Sequence, residues 1–319
     1  MSTIGWVLAV GAAVGLVVAG AELFAEHLAA ASVRLGVSSF ALALLLAGAE
    51  PEELATSVAA SLRHAPAIAV GDVIGANLTG CLVALGVGAF LVPLPFGPRV
   101  RRYALLGLPV GVIAAAVAWD GRVGRIEGVA LVAIYIAYVG VIWSIERRPP
   151  MIGESGEVAE ARDHVATRPS RVGRDLVLVL VGVVAMAVGA TLLVEAVRRL
   201  SGVEETQARL SLTLIGFATG FELVVLAWSA ARRGMTEAAV AGVVGSFAYN
   251  ATMTLGAGAL ARPLVLESAG FLRLPWVLMV VSLGLVLALA AARRGKLDRP
   301  AGVVLLLAYP VVVLAMLAR

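Results

Sequence analysis

The sequence predicts an all-α membrane protein with ten transmembrane helices, arranged as two inverted five-helix repeats whose second helices are broken. Three observations predict this fold: the composition, the spacing of the polar interruptions and an internal repeat. Of the 319 residues, 61% are apolar and 14% are charged, and the mean hydropathy is +0.98. A soluble domain is nearer half apolar and a quarter charged. The composition therefore excludes a cytosolic protein.

The polar interruptions divide the chain into ten apolar segments, and a helix needs about 20 residues to cross a bilayer. The predicted spans are residues 4–32, 38–62, 66–94, 103–119, 127–145, 175–199, 209–231, 236–261, 272–292 and 300–318. The longest polar stretch, residues 146–174, contains Pro and Gly and has no helical apolar period, so we expect a linker there. It joins two five-helix halves, residues 1–145 and 175–319.

The distribution of basic residues predicts the orientation in the membrane. Lys and Arg favour the cytoplasmic side of short loops, and 16 of the 25 lie in the loops after helices 1, 3, 5, 7 and 9. We therefore expect that the linker is cytoplasmic and that both termini lie on the outer side of the membrane. The expected location of the protein is the plasma membrane. The net charge of +4 requires no nucleic-acid partner. The expected partners are inorganic cations and the lipid bilayer, with no obligate protein partner.

Eight acidic residues fall inside the predicted spans beyond the first two residues of each span, whereas every Lys and Arg lies in a loop or at a helix end. The eight acids are Glu22, Glu26, Glu50, Glu52, Glu53, Asp72, Glu195 and Glu222. A carboxylate at bilayer depth costs several kcal/mol unless it is paired, hydrated or neutralised. Because basic partners are missing from the spans, we expect these acids to be protonated, hydrated or balanced by cations from outside the protein.

An internal repeat relates the two halves. The matching positions, at offsets of 169 or 170, are residues 20–26 (GAELFAE) with 189–195 (GATLLVE), Glu53 with Glu222, Arg63 with Arg232, and residues 75–76 with 245–246. Five predicted helices separate the two copies, so the copies must be inverted relative to the membrane. Inverted repeats are typical of secondary transporters, whose binding site lies near the midplane between the repeats.

The second helix of each repeat contains residues that disturb a helix. These stretches are residues 47–53 (AGAEPEE) and 216–222 (GFATGFE). Pro51 removes a backbone donor, and Gly216 and Gly220 lower helix persistence. A break frees backbone carbonyls at membrane depth, and each stretch also carries a carboxylate. Hard cations such as Ca²⁺ take about 6–8 oxygen ligands, so the two breaks together predict a cation site at the midplane.

At these residues the chain resembles the calcium/cation antiporter superfamily, which contains the sodium/calcium exchangers. The family's repeats read G-A-E-L-F-V-x-G-A, G-T-S-x-P-E-L and G-N-x-I-G-S-N-x-x-N. This chain has GAELF from residue 20, GAEPEELATS from residue 48, GDVIGANLTG from residue 71 and AGVVGSFAYN from residue 241. The resemblance implies a ten-helix antiporter that exchanges Ca²⁺ against Na⁺ or H⁺. It also implies that Glu53 and Glu222 are central ligands and that no cofactor is needed beside the transported ions.

The chain departs from the family pattern at the hydroxyl positions. Only one of four hydroxyls in the two G-T-S elements remains, at Thr219, and Ala49 and Glu50 replace the pair in the first repeat. Neutral oxygen ligands suit monovalent ions, whereas Glu50, Glu52 and Asp72 make the first repeat more acidic. Carboxylates can take up protons when no metal is bound, so proton coupling is as reasonable an expectation as sodium coupling.

The candidate metal ligands are these acids and the neighbouring hydroxyl and amide side chains. They are Glu53, Glu222, Glu50, Thr219, Asn77, Asn250, Asp72, Glu52 and Ser246. Simpler structural roles also stay open: protonated acids bonded to the backbone, hydrated acids in a vestibule, an acid stabilised by a helix dipole, and asparagines that hydrogen-bond between helices.

Two other functions stay open. A divergent member of the family could move or sense a different cation, because three hydroxyls are missing. An intramembrane enzyme is the remote alternative. The sequence has no H-E-x-x-H or G-x-S-x-G motif, so we expect no enzymatic activity and no catalytic residues. The single cysteine, Cys81, excludes a cluster of thiolate metal ligands.

Overall fold

The computed structural model describes residues 2–34, 50–146, 172–233 and 236–318. Most of these residues are helical. Within the described ranges, eight helices are long and apolar enough to cross a membrane. The structure therefore agrees with the mostly helical membrane protein that the composition predicts.

Each half contains long helices, and π-helical turns interrupt one helical rod of the first half and two of the second. The helices of the first half are α1 (Thr3–Arg34), α2 (Pro51–Leu62), α3 (Pro66–Leu78), α4 (Leu85–Leu91), α5 (Pro98–Val117) and α6 (Arg125–Glu146). Those of the second half are α7 (Val172–Leu200), α8 (Glu204–Leu210), α9 (Gly216–Thr219), α10 (Phe221–Arg233), α11 (Thr236–Ala248), α12 (Leu255–Ala261), α13 (Gly270–Ala292) and α14 (Arg299–Leu317). The π-helical turns are Thr79–Ala84, Ser211–Ile215 and Tyr249–Thr254.

The predicted spans agree with these helices where the structure describes them, and their ends differ by a few residues. The predicted span 236–261 is helical throughout, although it is not among the eight that meet the length and hydropathy criteria for a membrane span. Residues 38–49 of the second predicted span and residues 147–171 of the predicted linker lie outside the described residues. The division into two halves and a linker stays a prediction.

The disturbed stretch of the second half interrupts its helix. The turn Ser211–Ile215 is π-helical, and the short α9 that follows ends at Gly220. At Gly220 the backbone N–H donates to the carbonyl of Gly216 at 3.2 Å, and α10 begins at the next residue. In the first half, residues 47–49 lie outside the described residues, and α2 begins directly after Glu50.

Four two-residue strands, which an all-α prediction does not include, join the two halves. They are β1 (Leu94–Pro95), β2 (Arg122–Val123), β3 (Leu264–Val265) and β4 (Lys296–Leu297). β1 pairs antiparallel with β4, and β2 pairs antiparallel with β3. Gly121 and Gly295 precede β2 and β4 at φ values of +79° and +80°, which glycine adopts without steric cost. Each end of the molecule thus has one strand from each half.

Glycines allow α3 to cross the second half at very short distance. A Cβ atom on Gly75 would stand 2.4 Å from the backbone oxygen of Leu212, and one on Gly216 would stand 2.6 Å from the Cα of Gly75. A Cβ atom on Gly71 would stand 2.8 Å from the Cβ of Ser211. Small residues let membrane helices approach closely, so these positions bring α3 against the interrupted segment of the second half.

Glycines also bring α1 and α7 together, and these two helices carry the first repeated element. A Cβ atom on Gly20 would stand 2.9 Å from the backbone oxygen of Gly182, and one on Gly189 would stand 3.0 Å from the backbone oxygen of Ala13. α1 and α7 therefore form a close helix pair that joins the two halves.

Four of the acids expected at bilayer depth are not fully buried, and Glu222, which is half-buried, is described with the candidate site below. Glu22 and Glu26 are exposed on α1, and Glu195 is half-buried near the end of α7. Glu195 binds Arg199 at 2.8 Å and Arg63 at 3.6 Å. The expectation that acids in the spans lack basic partners is therefore wrong for Glu195. Its position near the helix end places an arginine one turn away, where the side chains meet.

Candidate cation-binding site

Three glutamates surround the first turn of α2. Glu50 is the N-cap residue, Pro51 is the first helical residue, and Glu52 and Glu53 follow it. Proline suits this position because the first N–H groups of a helix have no partner within it. The three glutamates are at most 5% exposed. The positive end of the α2 dipole therefore lies beside three buried carboxyl groups, which it stabilises when they are charged.

The second half contributes an amide and a hydroxyl to these acids. Asn250 lies in the π-helical turn Tyr249–Thr254, a rare element that is frequent at functional sites. Its Nδ2 donates to Glu50 Oε2 at 2.5 Å, and its Oδ1 accepts from the hydroxyl of Thr254 at 3.1 Å. Ser246, one turn earlier, is also close to Glu50. Glu50 and Asn250 thus connect the two halves.

A second contact between the halves involves Asp72 in α3, which is fully buried. Thr219, at the end of α9, donates its hydroxyl to Asp72 Oδ1 at 3.2 Å and also lies 3.1 Å from the backbone oxygen of Ile215. Thr219 directly precedes the turn at Gly220. The interruption predicted in the second half therefore positions a hydroxyl against an acid of the first half.

Glu222 lies in the first turn of α10, directly after this interruption, and is half-buried. Its carboxyl group is close to that of Glu52. Glu53 is fully buried and lies in the electrostatic field of Glu50, Glu52, Asp72 and Glu222. Acids from α2, α3 and α10 therefore share one region, although like charges repel at short distance.

Several oxygens of this region have no hydrogen-bond partner among the described residues. They are Glu50 Oε1, both carboxyl oxygens of Glu53, Asp72 Oδ2, Glu222 Oε2, and the hydroxyls of Thr56, Thr79 and Ser246. A buried polar group without a partner costs about 1–3 kcal/mol, and more if it is charged. Together these oxygens require cations, protons or water.

The described part of the chain provides no internal counter-charge here, because none of its Lys, Arg or His side chains is buried. No three Asp, Glu, His or Cys side chains of the described ranges form a preformed metal cage. Neutral oxygens from hydroxyl, amide or backbone groups must therefore complete the coordination of any cation held among these acids.

The structure brings together eight of the nine predicted ligands through the contacts described above. These are Glu50, Glu52, Glu53, Asp72, Thr219, Glu222, Ser246 and Asn250. The ninth, Asn77, is buried in α3, and its amide donates to the sulfur of Met279 at 3.4 Å. Asn77 therefore makes a contact between two helices, which is the purely structural role that the sequence analysis left open for the asparagines.

Two hydroxyls that the sequence analysis did not select also lie in this region. Thr56 is three residues after Glu53 on α2, a spacing that places both on one face of the helix. Thr79 begins a π-helical turn and packs against the interruption, since a Cβ atom on Gly220 would stand 3.1 Å from the Cβ of Thr79. The helical spacing from Glu53 could have identified Thr56.

Comparison with known proteins assigns the chain to a family. The family model described as sodium/calcium exchanger protein matches residues 5–144 and 175–318. The uncharacterized membrane protein MJ0091 of Methanocaldococcus jannaschii is 27% identical over 92% of this chain and 89% of its own length. The sodium/calcium exchanger MaX1 of Methanosarcina acetivorans is 25% identical over 92% of this chain and 93% of its own length.

The fold is also similar to that of solved structures. The sodium-calcium exchanger NCX_Mj superposes with a TM-score of 0.61 at 23% identity, and the match covers 97% of each chain. The family model spans both halves and the relatives match along nearly the whole chain. The chain belongs to the sodium/calcium exchanger family of membrane cation antiporters.

Proposed function

We propose that this chain is a secondary active antiporter that exchanges Ca²⁺, or a similar divalent cation, against Na⁺ or H⁺ by alternating access. One observation carries the proposal. Acids from α2, α3 and α10 share a buried region with unpartnered oxygens, and no Lys, Arg or His of the described ranges is buried there. Family membership and the name of the relative MaX1 support the same activity.

The proposed architecture is ten membrane helices in two inverted repeats, with residues 146–174 cytoplasmic and both termini outside the plasma membrane. The strand pairs support this arrangement, because two strands can pair only on the same side of a membrane. In the ten-helix order, six spans separate β1 from β4 and four separate β2 from β3. Both numbers are even, so each pair lies on one side, and the two pairs lie on opposite sides.

The proposed ligands are the two repeat-related glutamates, Glu53 and Glu222, assisted by other side chains of the region. The assisting residues are Glu50, Glu52, Asp72, Asn77, Thr219, Ser246 and Asn250. Two carboxylates neutralise one divalent cation, and hydroxyl and amide oxygens supply the further ligands that Ca²⁺ takes. An empty, fully ionised site is too costly to move past a closed barrier, so the protein exchanges ions and does not leak them.

The coupling ion depends on the balance between acids and neutral oxygens. Glu50 stands where the family pattern has a hydroxyl, and its carboxyl group is held by Asn250. An additional carboxylate can bind a proton when the metal leaves, because protons and metal ions compete for the same oxygens. This chain therefore has the groups for proton coupling, while Thr219 and Asn250 retain neutral oxygens that suit Na⁺.

The activity is tested in vesicles that contain the purified protein. We expect ⁴⁵Ca²⁺ uptake driven by an outward Na⁺ or H⁺ gradient, and each gradient is imposed separately. Glu53→Gln and Glu222→Gln should each lower uptake at least about a hundredfold, equivalent to roughly 2.7 kcal/mol, because the site then lacks one of its two central charges.

The control is Glu127→Gln, which removes an exposed carboxylate in the first turn of α6. It should transport like the unchanged protein. Uptake at the unchanged rate in both Glu53→Gln and Glu222→Gln would disprove the assignment. If the protein ignores Ca²⁺ but exchanges Mn²⁺ or Mg²⁺, the substrate of the proposal is wrong while the site remains.

A further inference from the structure

A groove of about 760 Å³ runs between α5 and α13, at the end of the molecule where β1 pairs with β4. None of the acids described above, which lie on α2, α3 and α10, lines this groove. Its lining combines apolar side chains with two arginines, Arg101 at the start of α5 and Arg294 just after α13. One helix belongs to each half of the chain.

The apolar wall continues along the membrane-facing side of both helices. Leu105 lies one helical turn after Arg101 and is 54% exposed. Leu287 and Ala291 lie one turn apart on α13 and approach the same groove from the other side. An exposed leucine on a membrane helix contacts lipid tails, so this wall offers a path for an acyl chain below the arginines.

The two arginines are exposed, and neither forms an ion pair within the described residues. Their neighbours differ: Arg102 and Arg293 are each bound by a carboxylate, at 3.2 and 3.6 Å. The two positive charges at the mouth of the groove are therefore available to an anionic ligand.

The backbone holds Arg294 at this mouth. Its φ is +57°, a left-handed conformation that is uncommon for residues other than glycine. The N–H of Arg294 donates to the carbonyl of Ala291 at 3.3 Å, and Gly295 continues the turn into β4 at φ +80°. The N–H of Gly295 also donates to the carbonyl of Ala290 at 2.8 Å, so this turn is the left-handed cap that ends α13, and it fixes where Arg294 stands.

The other end of the molecule also has a turn with a left-handed glycine before its strand, but without the same charge. There Asp120 precedes the left-handed Gly121 and β2, as Arg294 precedes Gly295 and β4. A turn of this kind therefore does not require a basic residue before its glycine.

We propose that this groove binds an anionic phospholipid, with the lipid phosphate between Arg101 and Arg294 and one acyl chain along Leu105, Leu287 and Ala291. Basic pockets between membrane helices bind anionic head groups, and the apolar wall selects a lipid over a free anion. One acid, Glu237, approaches Gly97 at an edge of the groove and leaves a net positive charge at the mouth.

The bound lipid bridges α5 and α13 and thereby stabilises the contact between the halves at this end. This inference does not depend on which ions the protein exchanges.

The purified full-length protein is titrated with phosphatidylglycerol or with phosphatidylcholine of the same acyl chains, and bound lipid is counted by native mass spectrometry. The protein should bind phosphatidylglycerol more tightly and melt at a higher temperature with it. A basic residue near anionic lipid changes binding about fivefold, so Arg101→Gln with Arg294→Gln should weaken phosphatidylglycerol binding about thirtyfold.

The matched control replaces two exposed arginines at the opposite end, Arg122→Gln with Arg125→Gln, and should leave binding unchanged. Ala291→Trp fills the acyl path without changing charge and should weaken binding of phosphatidylglycerol as well. All variants are first compared with the unchanged protein by gel filtration.

Equal binding of the two lipids, or unchanged phosphatidylglycerol binding after loss of both arginines, would overturn the proposal. Unaffected binding in Ala291→Trp, or displacement of the lipid by millimolar inorganic phosphate, would also overturn it, because the groove would then hold only an anion. Ala291→Trp keeps the test decisive if the arginine variant does not fold.

Discussion

At the scale of single residues, the candidate site depends on which oxygen stands at each position of the repeat. Glu50 occupies a hydroxyl position of the family pattern and accepts a hydrogen bond from Asn250. Together with Glu52 and Asp72, Glu50 therefore adds a third carboxyl group to the region beyond the two repeat-related glutamates. The position that matches Glu50 in the second repeat is Thr219, so the extra acid Glu50 distinguishes the two halves chemically.

Replacement of that extra charge tests its role in coupling. Glu50→Gln keeps an oxygen that can accept from Asn250 and removes only the charge. If Glu50 carries the exchanged proton, Ca²⁺ uptake driven by a pH gradient should fall about tenfold, or roughly 1.4 kcal/mol, while uptake driven by a Na⁺ gradient should change less. Vesicle uptake under each gradient measures both. An equal decrease under both gradients would show that Glu50 is only a metal ligand.

At the scale of helices, the site forms because α3 crosses the interrupted segment of the second half at glycine positions. The crossing brings Asp72 of α3 to Thr219 of α9. Gly75 and Gly216 are the residues that permit this distance. The close contact between the helices therefore brings the carboxyl group of Asp72 to the hydroxyl of Thr219. The two side chains by themselves would not determine this distance.

Gly75→Ala tests the crossing. The added Cβ atom would stand 2.4 Å from the backbone oxygen of Leu212, so α3 must move away, and overpacking of this kind costs about 1–3 kcal/mol. We expect a lower melting temperature and loss of Ca²⁺ uptake. The control is Gly140→Ala in α6, where a Cβ atom would meet nothing within 4 Å. A Gly75→Ala protein that melts and transports like the control contradicts this account of the crossing.

At the scale of the whole molecule, two strand pairs join the halves, and each pair contains one strand from each half. Leu94 stands opposite Leu297 in one pair, and Val123 stands opposite Leu264 in the other. Leu94 and Leu297 are buried, so this contact belongs to the packed interior. Each of these two small sheets therefore forms only when a strand from one half pairs with a strand from the other.

A cysteine pair tests this arrangement. In a Cys81→Ala background, Leu94→Cys with Leu297→Cys should form a disulfide on mild oxidation, because paired residues of antiparallel strands have Cα atoms about 4.5–5.5 Å apart and a disulfide spans that distance. Protease cleavage in the central linker followed by gel electrophoresis detects the link. Leu94→Cys with Val265→Cys places the cysteines in different strand pairs and should not link, and efficient linking there would contradict the fold.

The sequence by itself determined the membrane class, most of the helix positions, the acids and the interruption before Glu222, because hydropathy, helix-breaking glycines and a repeat offset are local properties of the chain. It also predicted a set of acids, hydroxyls and amides of which most share one region. The ten-helix inverted order and the ligand roles remain predictions that the strand pairs and the buried acids support.

Only the tertiary structure decided which of these groups meet. Asn77 and Asn250 are both buried amides, yet Asn250 reaches Glu50 while Asn77 contacts Met279. Glu195 meets Arg199 one turn away on its own helix, but only the tertiary structure brings Arg63 of the first half to it as well. Such pairings depend on how helices cross and where strands from distant segments pair. Those distances are set by packing between segments and leave no signal in the local sequence.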